Sequence, residues 1–161
     1  STQLDTSCLT GKRVLLAEDN LINQTVARKM LSSLGMSVEV AVNGLEALNA
    51  VQGCAVTSGG GGGVTSATTV SLGDPGFDII LMDMAMPVMG GVEATRAIRA
   101  AGHRLPIVAM TANASDKDRD ECADSGMDGF LSKPVLRDQL ARALLAVLGP
   151  GAGAAGGVPP F

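Results

Sequence analysis

The chain has no tryptophan, no tyrosine and only three phenylalanines among its 161 residues. Its core must therefore be aliphatic, and it offers few rings on which nucleobases could stack. It also lacks a basic excess: 12 lysines and arginines stand against 16 acids, a formal net charge of −4. A nucleic-acid surface needs basic patches, so direct nucleic-acid binding is not expected. No apolar run approaches the roughly 18 residues of a membrane span, so no membrane contact is expected of this fragment. The start, STQLDTSCLTGKR, has neither a signal-type apolar stretch nor a methionine. It reads as an excised piece of a longer protein.

Cysteine and histidine are scarce too. Cys8, Cys54 and Cys122 are odd in number and far apart, without CxxC or CxH spacing. Neither a disulfide framework nor a zinc site is supported, and reduced thiols in a cytosolic setting are expected. Cys122 lies in a polar helical stretch and reads as a packing residue. The one histidine, His103, falls between an apparent helix and a strand. A histidine-based triad or a His-rich metal site would have to depend on that residue alone.

What is present is an alternation of two periods. Val14 to Ala17 is a short apolar run ending in Glu18-Asp19. Ile22, Val26, Ala27, Met30, Leu31 and Leu34 follow at helical spacing, closed by Gly35. Val38, Val40 and Val42 alternate as in a strand, and Leu45, Leu48 and Val51 continue as a short helix. Phe77 to Met82 is a buried-type run ending in Asp83, with a helix expected from about Gly91 to Ala101. Leu105 to Met110 is a fourth strand ending at Thr111, and Ser115 caps a polar helix reaching Ser125. Phe130 to Ser132 is a brief fifth strand ending at Lys133. Leu136, Leu140, Leu144 and Val147 mark a last helix, stopped by Gly149-Pro150.

This β-α unit, repeated through the chain, predicts an α/β fold: a doubly wound parallel sheet with right-handed crossovers. Two Gly-rich stretches stand outside it. Residues 53–76 carry five consecutive glycines, and residues 149–161 read GPGAGAAGGVPPF. They are expected to be an inserted flexible loop and a flexible tail around a domain of residues 11–148, with residues 1–10 as a linker. The glycine run has no GK[ST] and opens no helix after a strand, so it is not a nucleotide cradle.

Ligands of open α/β sheets gather at the carboxyl ends of the strands. Here those ends carry Glu18-Asp19, Asp83, Thr111 and Lys133. Taken singly, each has a plain explanation: a strand-end Asp or Thr often forms a turn, Lys133 could be a solvated charge, and Phe130 could be core. Their joint order is improbable by chance. Crowding carboxylates at one site is unfavourable, and a cation relieves it. Hard oxygen donors without Cys or His favour Mg2+ over zinc or copper.

The segments VLLAEDNLINQTVARKMLSSLG, DIILMDMAMPVMGGVEATRAIR, LPIVAMTANA and GMDGFLSKP resemble the receiver domain of two-component signalling. AEDNLINQ, TANA and LSKP are most similar to receivers attached to hybrid histidine kinases. The resemblance implies a five-stranded (βα)5 flavodoxin-like sheet of order 2-1-3-4-5. It implies that Asp83 is the phosphoacceptor, and that Glu18, Asp19, Asp83 and the backbone carbonyl of Ala85 hold Mg2+. Thr111 would bond the phosphoryl group, Lys133 would pair with it, and Phe130 would be the aromatic switch residue. The Lys133-Pro134 bond would be cis. The phosphodonor would be a histidine kinase or a histidine phosphotransfer protein, because His103 is expected at the opposite end of the sheet from Asp83. Such a domain phosphorylates and dephosphorylates itself without being a conventional enzyme.

Two departures bear on this expectation. Gly90 stands where the family usually has an Asp, which should remove a helix cap. The insertion lengthens the separation of Asp19 and Asp83, which loop-closure entropy tolerates because it grows slowly with length. The alternative from another class is a phosphohydrolase of the haloacid-dehalogenase type, which requires a second Asp two residues after its nucleophile. That position is Ala85.

Overall fold

The computed structural model describes residues 5–52, 76–113 and 115–149. Five apolar runs form the strands β1 (Arg13–Ala17), β2 (Ser37–Ala41), β3 (Ile79–Asp83), β4 (Ile107–Thr111) and β5 (Gly129–Ser132). All pairings are parallel and the order is β2-β1-β3-β4-β5, as the resemblance implied. Every residue of β3 and β4 is buried, whereas β2, at an edge, alternates between exposed and half-buried positions until Ala41, which is buried. Strands covered on both faces are apolar throughout; an edge strand need not be.

Five helices connect and follow the strands: α1 (Leu21–Ser33), α2 (Gly44–Val51), α3 (Gly91–Ala100), α4 (Asp116–Ser125) and α5 (Arg137–Leu148). The period-two pleat sends alternate strand residues to opposite faces. Val14, Leu16, Ile79 and Leu81 meet α1 and α5 through Ala27, Leu31, Leu140 and Leu144. Leu15, Ile80 and Met82 meet α2, α3 and α4 through Ala47, Val51, Ala94, Ile98 and Cys122. A large aliphatic side chain buried in this way contributes about 1.5–3 kcal/mol. The segment expected as an N-terminal linker supplies a 3-10 helix, Ser7–Leu9, and Leu9 lies fully buried in the first of these cores.

Helix ends follow the local chemistry. The Asn20 side chain caps α1 by accepting from the amides of Ile22 and Asn23, and Gly35 beyond it has φ +81°. Ser115 caps α4 through the Asp118 amide. Gly90 begins α3 without any side-chain cap, as its substitution for Asp predicted. The expected tail begins at Gly149, which ends α5; residues 150–161, and residues 53–75 of the expected inserted loop, lie outside the described residues. At Gly76 the carbonyl accepts from Arg13, whose guanidinium also covers the Phe77 ring at 4.8 Å.

The apolar residues of α1 divide into two rows. Ile22 and Val26 are 74% and 49% exposed, and the buried stripe is Gln24, Ala27 and Leu31. Leu45 and Leu136 also face solvent, and Leu136 precedes α5 as its N-cap rather than packing under it. Helical spacing identified the helices but not which of two apolar rows faced inward.

Candidate functional site

The fold brings the strand-end groups together. Glu18 extends β1 by one ladder hydrogen bond, its amide donating to the Ala41 carbonyl at 3.0 Å, and is buried. Asp83 ends β3 and is buried as well. Lys133 follows β5, with its amide on the Thr111 carbonyl at 2.7 Å. From there its Nζ reaches Glu18 Oε2 at 2.8 Å and Asp83 Oδ2 at 3.0 Å. Asp19 is exposed, and one carboxylate oxygen from each of Glu18, Asp19 and Asp83 lies within 4.8 Å of the others.

Three carboxylates around one ammonium leave a surplus of negative charge, and the titrations reflect it. Burial, reinforced by the charge of Glu18, pushes Asp83 up to about 6 against the pull of Lys133. Burial would raise Glu18 too. There the hydrogen bonds from Lys133 and from the Asn20 amide prevail and hold it below the usual carboxylate range. Burial would lower Lys133, but its bonds to both carboxylates keep it above its ordinary value. This donor set, all hard oxygen with a net negative charge beside an exposed acid, fits a divalent cation such as Mg2+.

The remaining predicted residues surround this cluster. Thr111 ends β4 and is buried, and its hydroxyl both donates to the Asn113 carbonyl and accepts from the Asn113 amide, each at 3.1 Å. The Ala85 amide turns back to Asp83 Oδ1 at 3.3 Å. Phe130 is half-buried on β5, with the guanidinium of Arg119 5.4 Å from its ring centroid. Lys133-Pro134 is cis. His103 lies in the loop that leads into β4, at the sheet end opposite Asp83, with its carbonyl accepting from Arg99. Cys122 is buried, and burial helped by Asp118 and Glu121 pushes its thiol up to about 11, so it is an inert packing residue.

Sequence reading missed three positions. Gln24, buried under α1, donates to the Glu18 carbonyl at 2.7 Å. Asn23 reaches Glu18 Oε1 at 3.5 Å beside the Asn20 amide at 3.1 Å. Arg119 meets Phe130 from α4. No sequence signal marked Gln24: only the sheet beneath α1 distinguishes its row, with Ala27 and Leu31, from the apolar row of Ile22 and Val26.

Comparison with known proteins agrees with this geometry. A family model described as the response regulator receiver domain matches residues 65–145. That stretch includes Asp83, Thr111 and Lys133, whereas Glu18 and Asp19 lie upstream and reach the site through the fold. Two-component system protein A of Emericella nidulans is 40% identical over 83% of this chain, which spans 17% of that protein. Histidine kinase 5 of Arabidopsis thaliana is 34% identical over 82% of the chain, which spans 15% of it. Among solved structures, the receiver domain of a sensor histidine kinase from Pseudomonas aeruginosa PAO1 holds a magnesium ion in its active-site cleft. It is 38% identical with a TM-score of 0.68, covering 88% of this chain and all (100%) of that one. A receiver of Saccharomyces cerevisiae, that of the response regulator Ssk1 bound to the histidine phosphotransfer protein Ypd1, has 27% identity and a TM-score of 0.69. The match covers 91% of this chain and 95% of that one.

Proposed function

This chain belongs to the response-regulator receiver family, and from that premise we propose that Asp83 accepts a phosphoryl group from a phosphohistidine on a partner protein. The observation that carries the reading is Lys133, one ammonium bridging the buried carboxylates of Glu18 and Asp83 at 2.8 and 3.0 Å. An apolar strand end gains no stability from such a charge cluster, so its position calls for chemistry.

In the transfer, an oxygen of Asp83 bonds to phosphorus as the N–P bond of the phosphohistidine breaks. The imidazole leaves with the electron pair and takes a proton from solvent. The product is an acyl phosphate. Glu18, Asp19, Asp83 and the Ala85 carbonyl are the residues that would hold Mg2+. When bound, Mg2+ supplies positive charge that offsets repulsion between the phosphoryl oxygens and these carboxylates. Lys133 exchanges part of its ion pairing with Asp83 for the transferred oxygens. The Thr111 hydroxyl leaves the Asn113 backbone for a phosphoryl oxygen, and Phe130 turns toward the space it vacates. That local rearrangement biases the partner-binding surface of α4, β5 and α5.

The donor is a histidine kinase or histidine phosphotransfer protein. Seven large apolar residues are exposed among the described residues: Leu21, Ile22, Val26, Val42, Leu45, Val88 and Leu136. Each lies in a loop that follows a strand's carboxyl end, or in the first two turns of the helix it feeds. Among the described residues the opposite end of the sheet has none. An apolar rim around a charged site fits a docking protein that brings its own reactive group. Val88 holds φ +68°, which is costly for a β-branched residue and typical of a functional loop.

The receiver unit is taken as residues 11–148, with 53–76 as an insertion. The chain spans 17% and 15% of the two relatives, which supports reading it as the receiver module of a larger hybrid sensor histidine kinase; the module is assigned to the cytoplasm, whether or not the parent protein is membrane-anchored. No helix among the described residues is long and apolar enough to cross a membrane. The hydrolase alternative gains no support, with Ala85 in place of its second Asp and receivers as its relatives.

Incubation with acetyl phosphate and Mg2+ tests the assignment. One acid-stable, base-labile phosphoryl group is expected on the wild type and none on Asp83→Asn. Persistent labelling of that variant, or steady turnover of a phosphate ester, would overturn it.

A further inference from the structure

α4 is loosely held. Of its 10 residues only Cys122 and Ser125 are buried, while the equally long α3 buries Gly91, Ala94, Thr95 and Ile98. Its cap is internal: the Ser115 hydroxyl accepts from the Asp118 amide and donates to the Asp118 carboxylate. Its contacts toward the site are made by Cys122, whose Sγ lies 3.5 Å from Met84 Sδ, and by Arg119 above the Phe130 ring.

The ladder sets what Phe130 can do. It pairs with Ala109 on β4, and Thr111 is two residues beyond, on the same face. Phe130 packs against the core that α2, α3 and α4 cover. The guanidinium of Arg119 therefore covers one face of a ring whose residue shares its sheet face with Thr111. A guanidinium over an aromatic face is attracted by the ring's negative quadrupole.

We propose that Arg119 is a positioning residue that holds Phe130 in its resting place, and so sets how readily the ring turns toward Thr111. This rests on the reading of Thr111 and Phe130 as the switch pair. At an exposed site the contact biases that equilibrium about two- to five-fold.

The chain's three phenylalanines make the test direct, because fluorophenylalanine labelling gives three 19F signals. Phe130→Leu assigns the relevant one. Arg119→Met keeps the aliphatic stem and removes the charge. In metal-free, unphosphorylated protein it is expected to move the Phe130 signal toward the position adopted when beryllofluoride and Mg2+ are added. Beryllofluoride affinity should rise about two- to five-fold. Losing a positive charge near an anion site would by itself weaken anion binding, so a gain has the sign of the switch. Arg119→Lys should stay near the wild type, and in a Phe130→Leu background Arg119→Met should have no effect. An unmoved Phe130 signal, or an equal affinity gain in both backgrounds, would overturn the proposal. Failure of the underlying switch reading is separate: it appears as a wild-type Phe130 signal that beryllofluoride and Mg2+ leave unmoved, whereas a wild-type signal that moves on activation but is indifferent to Arg119→Met overturns the Arg119 contact alone.

Discussion

The two ends of the sheet handle charge in opposite ways. At the amino end Arg99 donates to the carbonyls of Gly126, His103 and Leu105 at 3.0, 2.9 and 2.8 Å, and to Asp128 at 2.9 Å. Asp128 in turn accepts from the Ile107 amide at 3.0 Å. One cation meets one anion, and both tie the end of α3 to the starts of β4 and β5. At the carboxyl end Glu18 and Asp83 share the single ammonium of Lys133 with Asp19 alongside, and burial pushes Asp83 up to about 6. The first cluster is matched and serves the fold; the second is unmatched and awaits positive charge. Strained or poorly matched groups persist where function retains them.

The largest expected effect comes from breaking the matched end. Arg99→Met keeps much of the aliphatic stem but leaves Asp128 and three carbonyls without their donor. The expected loss is about 2–4 kcal/mol, reduced from the value for a fully buried pair because Asp128 is partly exposed. Urea denaturation measures it. Mg2+ binding by the folded protein should be unchanged, because the site lies at the other end. A loss below about 1 kcal/mol would mean that the cluster is a surface ion pair and not a clamp.

The unmatched end should respond with the opposite sign. Burial pushes Asp83 up to about 6 in the folded chain, above the ordinary value of 3.8. Between those values the folded chain binds more protons than the unfolded one. This group's contribution to stability is therefore favourable at low pH and is lost as pH rises through 6. Asp83→Asn removes that penalty, and Lys133 keeps Glu18 as a partner. The metal-free variant is expected to be more stable than wild type by about 1–2 kcal/mol at pH 7.5, with the difference vanishing near pH 4. Mg2+ at pH 7.5 should narrow the gap by stabilising only the wild type. A variant less stable than wild type at pH 7.5 would show that Asp83 is a structural anchor.

How much of this was readable beforehand differed by physical signal. Strands β3 and β4 were plain because burial on both faces leaves an unbroken apolar run, and polar residues at strand ends then marked the site. Ser115 gave the start of α4 to the residue because capping chemistry is local. The inward row of α1 was not readable. Ile22, Val26 and Met30 form as good a helical stripe as Gln24, Ala27 and Leu31, and only the sheet beneath decides between them. Gln24 and Arg119 escaped notice because each acts on a residue distant in sequence, the one on a backbone carbonyl and the other on a ring. Periodicity carries no information about such contacts.

The smallest expected effect sharpens the contrast within a single turn. Gly91 has no freedom, since a Cβ there would collide with the Asp83 carbonyl. Its neighbour Gly90 has an ordinary φ of −76°, and a Cβ would meet only the Met84 carbonyl, at 3.4 Å. Gly90→Asp should therefore fit and supply the cap that α3 lacks, while its charge favours the helix's amino end. Replacing Gly by a capping side chain is worth a few tenths of a kcal/mol, about 0.3–0.5 here, because glycine is itself a tolerated cap. The gain should be seen as a small rise in urea midpoint at unchanged m-value. A destabilised Gly90→Asp would mean that the added carboxylate feels the surplus negative charge of Glu18, Asp19 and Asp83. That repulsion should then disappear when Mg2+ is added, so the sign of the midpoint shift with and without the ion separates a helix cap from a fourth acid at the site.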